Sequence, residues 1–170
     1  RTRAARARRP LRGAAAGEVM AADAATLPAS AVLVGPKAVL IRGPAGSGKS
    51  HLVWALLQSA AQGALPFARL VADDRAHIEA RAGRLLVRPA PALAGMLEIR
   101  GLGIRRLPYE PVAMVDLVVD LAAPDAARHP DPEVGKTNVG GVFLPLLAVA
   151  PGASALAMVL AYLGTLRTAN

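Results

Sequence analysis

A glycine-rich segment that ends in Gly-Lys-Ser is the part of the sequence best suited to chemistry. Residues 43–50 read GPAGSGKS and fit the pattern G-x-x-x-x-G-K-[ST]. Glycines permit backbone turns that strain other residues, so the loop's N–H groups can point inward around anionic oxygens. The lysine can reach outer phosphates, and the serine hydroxyl can join a Mg²⁺ coordination shell. The predicted nucleotide-binding residues are Gly43, Pro44, Ala45, Gly46, Ser47, Gly48, Lys49 and Ser50.

Two adjacent acids follow a short apolar run. Asp73 and Asp74 come directly after RLVA, which has the composition of a buried strand. Phosphate-loop proteins place an acid at such a strand end, where it binds metal or orders a nucleophile. Adjacent acids are hard to bury unless they are paired or bound to a metal. The pair is therefore a candidate for chemistry, and the alternative is a solvated turn.

Further acids lie in two other segments. Glu98 and Arg100 are two apart in LEIRGLG (97–103), so on an extended chain they point the same way, which suits a catalytic loop. Asp116 and Asp120 are four apart in MVDLVVDL. That spacing predicts one face of a strand, which we interpret as its solvent face.

Several classes of site are excluded or disfavoured. The chain has no cysteine, which excludes disulfides, thiolate metal sites and a cysteine nucleophile and makes a cytosolic location the default expectation. No G-x-S-x-G nucleophile signature is present. His51, His77 and His129 do not have the spacing of metal ligands, so each is interpreted as a surface histidine.

Mixed strands and helices must position these residues. Apolar periodicity and turn residues predict strands at 31–34, 38–42, 68–74, 112–121 and 142–149, a hairpin of 76–81 with 84–89, and helices at 50–61 and 153–163. Residues 91–107 are predicted as a short helical turn followed by a glycine-bearing loop, and 125–141 as a polar loop. The fold class is therefore α/β, with more hairpins than regular βαβ units.

The positive charge is concentrated at the start of the chain. Net charge is +8, but residues 1–12 hold six arginines and no acid, and removing them leaves about +2. We predict a basic, disordered tail over 1–27. An RNA-binding arm lacks interleaved aromatic residues, and a transit-type peptide is the third reading. No nucleic acid is therefore expected as a partner. The sequence has no run of 18 or more strongly apolar residues, so no membrane span and no membrane partner are expected either.

Three segments, LIRGPAGSGKS, LVADD and LEIRGLGI, together resemble the HPr kinase/phosphorylase family, specifically its short alphaproteobacterial form. The resemblance implies a phosphate-loop (Walker A) kinase domain over 28–165, related to phosphoenolpyruvate carboxykinase, with a mixed sheet and flanking helices. It also implies ATP and Mg²⁺ as cofactors and serine phosphorylation of the phosphocarrier protein HPr, in regulation of a phosphotransferase system. Many members also remove the phosphate by phosphorolysis. A cytoplasmic homo-hexamer is the implied assembly.

The resemblance carries roles onto individual residues of this chain. Lys49 would hold the phosphates and Ser50 would be a Mg²⁺ ligand. Asp74 would accept the serine proton, with Asp73 near the metal and Glu98 as the second metal-site acid. The signature loop would be Leu97, Glu98, Ile99, Arg100, Gly101, Leu102 and Gly103. Arg128 would be an active-site arginine.

The chain departs from the family pattern at three places. The family's catalytic histidine stands 21 residues before the loop lysine, where this chain has Pro28. The basic stretch that longer members use for dephosphorylation is replaced by LLAVAPGAS (146–154), and His51 stands where many members carry an acid. Pro28 prompts an alternative function, a nucleotide-binding regulatory module with weak or absent kinase activity. An unrelated small-molecule kinase with a phosphate loop is a third reading.

Overall fold

The computed structural model describes residues 25–126 and 135–165. These ranges contain eleven strands, two helices and one turn of 3₁₀ helix, Pro91–Leu93. The strands are β1 (Ala25–Leu27), β2 (Ser30–Val34), β3 (Lys37–Arg42), β4 (Ala68–Ala72), β5 (Ala76–Arg81), β6 (Arg84–Pro89), β7 (Met96–Ile99), β8 (Gly103–Arg106), β9 (Ala113–Leu121), β10 (Lys136–Val139) and β11 (Val142–Val149). The helices are α1 (Lys49–Ala61) and α2 (Ala155–Thr165).

Nine of the strands form one mixed sheet in the order β1-β5-β6-β9-β3-β2-β4, and β10-β11 joins it through β9. The pairs β3–β9 and β9–β11 are parallel, whereas the other pairs of this sheet are antiparallel. The long strand β9 pairs with β6 near its start and with β11 near its end. β7 and β8 form a separate two-stranded sheet. The predicted α/β class with a mixed sheet and flanking helices is confirmed.

The sheet has an apolar core on each face. Alternate residues of the central strands point to opposite faces, as Ala31 and Val32 of β2 do. One core packs the sheet against α1, α2 and β7. The other consists of strand and connecting residues alone, because the sheet covers its own second face. Both described helices, α1 and α2, therefore lie on the same face of the sheet.

Helix α1 places the loop lysine and serine in its first turn. Leu52, Val53 and Leu56 recur at helical spacing and are buried against the sheet. The helix begins directly after Gly48, which adopts a left-handed conformation, and its end is closed where the Gln62 N–H donates to Gln58 O. The N–H groups of a first helical turn lack intrahelical partners, so this end can bind an anion.

Most of the predicted elements are confirmed, including the 76–89 hairpin and both helices within one or two residues. The segment predicted as a glycine-bearing loop is instead the β7–β8 hairpin. Gly101 lies in its turn and Gly103 is the first residue of β8, and both have positive φ. The glycines that suggested a loop therefore form the tight turn of a hairpin. Part of the predicted polar loop also differs, since its residues 136–139 form β10.

Asp116 and Asp120 do not share a solvent face, contrary to prediction. Ala38 pairs with Val115 but Val39 pairs with Leu117, so Asp116 is an extra residue in a β-bulge. Because a one-residue shift reverses the side-chain alternation, the two acids lie on opposite faces of β9. Asp116 lies on the helix side, near Tyr162 of α2, and its Oδ2 atom is buried with no hydrogen-bond partner among the described residues.

The other acid, Asp120, forms a paired contact with a neighbouring strand. Its two carboxylate oxygens accept from Arg42 Nε at 2.7 Å and Arg42 Nη2 at 2.8 Å. Arg42 is the last residue of β3, so this bidentate pair ties together the ends of the parallel strands β3 and β9. The pair therefore stabilises the end of β3, directly before the phosphate loop.

The predicted tail, residues 1–27, lies outside the described residues except for Ala25–Leu27. These three residues form β1 at the edge of the sheet. In the described part of the chain, no helix has the length and apolarity needed to cross a membrane.

Candidate active site

The phosphate loop leaves β3 through a position that only glycine fits. Gly43 has φ +149°, and a Cβ atom there would lie 2.6 Å from Ser47 Oγ and 3.0 Å from the Leu121 carbonyl oxygen. Such distances are far below ordinary contact, so any side chain would displace the loop or β9. The loop is thus packed closely onto the end of the neighbouring strand.

The interior of the loop fits a phosphate. Lys49 Nζ donates to the carbonyl oxygens of Gly43, at 3.0 Å, and Pro44, at 3.1 Å. The Ser47 hydroxyl is buried and has no partner among the described residues. A buried polar group without a partner is costly, and phosphate oxygens are acceptors that both side chains could bond. The Ser47 hydroxyl and the Lys49 ammonium are therefore donors that a bound phosphate could use.

Asp73 is a buried carboxylate on which three segments converge. It is 5% exposed. Its Oδ1 accepts from Ser30 Oγ at 2.6 Å and from Ser50 Oγ at 2.8 Å, and its Oδ2 accepts from the Glu98 backbone N–H at 3.1 Å. Hydrogen bonds from several donors offset the cost of burying a carboxylate. Asp73 therefore fixes the loop serine, strand β2 and the β7–β8 hairpin relative to one another.

Asp74 has the opposite environment from its neighbour. It is exposed and adopts a left-handed backbone with φ +65°. A non-glycine residue in that region costs free energy, and such strain is concentrated at functional sites. The reversal turns the Asp74 side chain away from the core that holds Asp73 and into a cavity. The alternative interpretation, in which both acids lie in a solvated turn, is wrong for Asp73 because that residue is buried.

That cavity, of about 560 Å³, is lined by half of the predicted site residues, nine of eighteen. Its walls come from the phosphate loop, the first turns of α1, the end of β4 and the β7–β8 hairpin. The lining residues are Ala45, Gly46, Gly48, Lys49, Ser50, His51, Trp54, Asp74, Glu98, Ile99 and Arg100. Glu98 and Arg100 line the same cavity, as their spacing predicted.

The oxygen-bearing side chains of the cavity suit a hard cation. Ser50, Asp74 and Glu98 offer hydroxyl and carboxylate oxygens, whereas Asp73 lies behind Ser50 and is not in the lining. The described residues contain no group of three or more His, Cys, Asp and Glu side chains at metal-binding spacing. Mg²⁺ normally needs only one or two carboxylates, with phosphate oxygens and water completing its shell. The residues present therefore fit Mg²⁺ bound together with a nucleotide.

Arg128 lies outside the described residues. Pro28 stands exposed in the link between β1 and β2, two residues before Ser30.

Two residues of the site, Ser30 and Trp54, belong to no sequence motif and were not predicted. Ser30 is fully buried at the start of β2, and its only sequence signal is a serine beside an apolar run. Trp54 lines the cavity one helical turn after Ser50, a spacing that could have identified it.

Comparison with known proteins supports the fold. No protein-family model matches the chain, and no curated protein matches it significantly. Among solved structures, the chain is similar to the Hpr(Ser) kinase/phosphatase from Coxiella burnetii, with a TM-score of 0.66 and 22% sequence identity. The match covers 84% of this chain and 90% of that one. The chain therefore has the fold of that Hpr(Ser) kinase/phosphatase.

Proposed function

We propose that this chain belongs to the HPr kinase/phosphorylase family and transfers the γ-phosphate of ATP to a serine of the phosphocarrier protein HPr. The observation that carries the proposal is the single cavity shared by the phosphate loop, Asp74 and Glu98. Those residues come from the three segments that resemble the family. The shared fold with a solved Hpr(Ser) kinase/phosphatase supports the same assignment.

The chemistry follows from the two unlike aspartates. The hydroxyl oxygen of the acceptor serine attacks the γ-phosphorus, the bond from that phosphorus to the β–γ bridging oxygen breaks, and ADP leaves. Asp74, exposed in the cavity, takes the hydroxyl proton as general base. Lys49 withdraws from its loop carbonyls to the outer phosphates and offsets the negative charge there.

Ser50 and Glu98 would hold Mg²⁺, and Asp73 would orient the Ser50 hydroxyl from behind. The ion would neutralise charge on the phosphates. Asp73 thus acts as a positioning residue, and Asp74 as the catalytic one.

Phosphate transfer from labelled ATP to purified HPr tests the assignment. Asp74→Asn keeps the side-chain shape but cannot accept a proton at neutral pH, so transfer should fall about 10²- to 10⁴-fold while Mg-ATP binding is kept. Asp125→Asn makes the same change at an exposed aspartate outside the cavity and should transfer at the wild-type rate. Robust transfer that Asp74→Asn leaves untouched would defeat the assigned mechanism.

The second candidate is a nucleotide-binding regulatory module without efficient kinase activity, and Pro28 favours it. Proline cannot move or position a proton where the family has histidine. Under the kinase proposal, Pro28→His should raise phosphate transfer. Wild-type protein that binds ATP but leaves HPr unphosphorylated would favour the module.

The remaining parts of the proposal have separate tests. Incubation of phosphorylated HPr with inorganic phosphate tests phosphorolysis, for which the neutral 146–154 segment offers no cation. Sedimentation velocity tests the hexamer, and cell fractionation tests the cytoplasmic location.

A further inference from the structure

A second cavity, of about 400 Å³, lies on the other side of the phosphate loop. It is bounded by α1, the end of β9 and the connection from β11 to α2. Its lining residues are Ser47, Gly48, His51, Leu52, Ala55, Leu121, Ala122 and the segment 149–156. Gly48 and His51 line both cavities, so the two volumes meet at the loop.

The two cavities differ in chemistry. Lys49, Asp74, Glu98 and Arg100 give the first cavity charges of both signs. No Lys, Arg, Asp or Glu is among the residues that line the second. Its walls are mostly small and apolar, with polar side chains at Ser47, His51 and Ser154, and the turn at 150–153 adds backbone polar groups. Apolar walls with a few polar groups are typical of small-molecule sites, and the volume lies in their range of roughly 300–1,000 Å³.

A phosphate chain seated in the loop must have its outer end on the side of Asp74 and Glu98, where transfer would occur. The group attached to its inner end then extends to the opposite side. The second cavity is the described volume that adjoins the loop there, and its neutral lining suits a flat, uncharged ring better than another phosphate.

We propose that the second cavity is the nucleoside subsite, which holds the base and ribose of a purine nucleoside triphosphate. This inference rests on the proposed function and adds the location of the nucleoside. The faces of the base pack against Ala55 of α1 and Leu121 of β9. Its polar edge meets backbone groups of the 150–153 turn, and the imidazole of His51 stands at the junction between nucleoside and phosphates.

Calorimetric titration with two probes tests the subsite: Mg-ATP, and inorganic tripolyphosphate with Mg²⁺, which has no nucleoside. Ala55→Phe and Ala155→Phe fill the cavity from α1 and α2. Ala61→Phe makes the same change at an exposed position of α1 outside the cavity. Both cavity variants should bind Mg-ATP about 10- to 100-fold more weakly and retain tripolyphosphate affinity within about 2-fold. Ala61→Phe should match the wild type with both probes.

The other outcomes separate failure of this inference from failure of the proposed function. Unchanged Mg-ATP affinity in both cavity variants would overturn the subsite. So would wild-type protein that binds tripolyphosphate as tightly as Mg-ATP, or cavity variants that lose both probes equally. Lys49→Ala should weaken both probes, because the phosphates are common to them. Wild-type protein that binds neither probe would remove the phosphate-loop function itself.

Discussion

Asp73 connects three segments of the candidate site without lining its cavity. Its donors come from β2, α1 and β7, which are far apart in the sequence. Hydrogen bonds to an ionised acceptor are about twice as strong as neutral ones, so each donor also holds its own segment in place. The buried Ser30 is the one donor without any other assigned role.

We predict that Ser30→Ala lowers the free energy of unfolding by about 1.5–3 kcal/mol, because one donor to a buried charge is lost. It should also raise the Mg²⁺ concentration needed for nucleotide binding, since Asp73 then holds Ser50 less firmly. Urea denaturation and Mg²⁺ titrations measure the two effects. Ser30→Thr, which retains a hydroxyl, should restore most of the Mg²⁺ response.

The matched control is Ser59→Ala. Ser59 is also buried, but it donates to the Ala55 carbonyl within α1, and alanine favours a helix. Its replacement should cost less stability and leave the Mg²⁺ response unchanged. If both serine variants lose equal stability and neither alters the Mg²⁺ response, Ser30 is an ordinary core serine.

Tyr162 provides a prediction about alkaline pH. Partial burial raises the pKa of the Tyr162 hydroxyl above 10.0, and the Asp116 charge raises it further. The unfolded chain then releases this proton at lower pH than the folded chain, so stability that is present below about pH 10 is lost as pH rises through the folded pKa. Tyr162→Phe removes the ionisable group. The free energy of unfolding should therefore fall less between about pH 9 and about pH 11 in the variant than in wild type.

Two further variants check the cause. Asp116→Asn removes the second contribution and should shrink the alkaline loss without abolishing it. Tyr109→Phe retains Tyr162 and should keep the full loss. Equal pH profiles for Tyr162→Phe and wild type would contradict the assignment.

The β7–β8 hairpin is positioned by the glycine that precedes it. Gly95 has φ +72°, its carbonyl oxygen accepts from the Leu107 N–H at 2.8 Å, and it is buried. A Cβ atom there would lie 2.9 Å from Tyr109 Cδ1 and 3.1 Å from the Leu107 carbonyl oxygen. Both the backbone conformation and the close approach therefore require glycine.

We predict that Gly95→Ala destabilises the protein more than Gly83→Ala does. Gly83 has the same φ of +72° but open space where a Cβ would be, so both variants bear a conformational cost of about 1–2 kcal/mol. The close contacts should add about 1–3 kcal/mol at Gly95 alone. Because the hairpin carries Glu98, Gly95→Ala should also weaken Mg²⁺-dependent nucleotide binding. Thermal unfolding and nucleotide titration measure both, and equal destabilisation would show that the contacts relax.

The elements that were predicted correctly are those specified by residues close together in the sequence. The phosphate loop lies between an apolar strand and an amphipathic helix, and the 76–89 hairpin is marked by its Ala82-Gly83 turn, so each is specified within a few residues. The β7–β8 hairpin was missed because three glycines in and beside it resemble a loop until strand pairing is known. The bulge at Asp116 depends on the register with β3, and the Ser30–Asp73 bond joins residues 43 apart in sequence. Periodicity in one segment cannot reveal such pairings.

The residues that line the first cavity all fall within 45–100, whereas the arginine-rich segment, residues 1–12, precedes them in the chain. We predict that deletion of residues 1–12 leaves ATP affinity and phosphate transfer within about 2-fold of the full chain, since no site residue is removed. Transfer assays on both forms measure this. Loss of HPr phosphorylation with ATP binding intact would identify the segment as a docking element for the protein substrate.

Trp54 gives the molecule an optical property of its own. It is the chain's single tryptophan, and it stands in the cavity wall together with Lys49 and Glu98. Tryptophan emission depends on the polarity and charge around the indole, so intrinsic fluorescence originates at the place where nucleotide and metal are proposed to arrive. Binding in that cavity can be followed by tryptophan fluorescence in unlabelled protein, in real time, with no background from a second indole. Stopped-flow mixing would then time each arrival separately, Mg²⁺ before nucleotide or nucleotide before Mg²⁺.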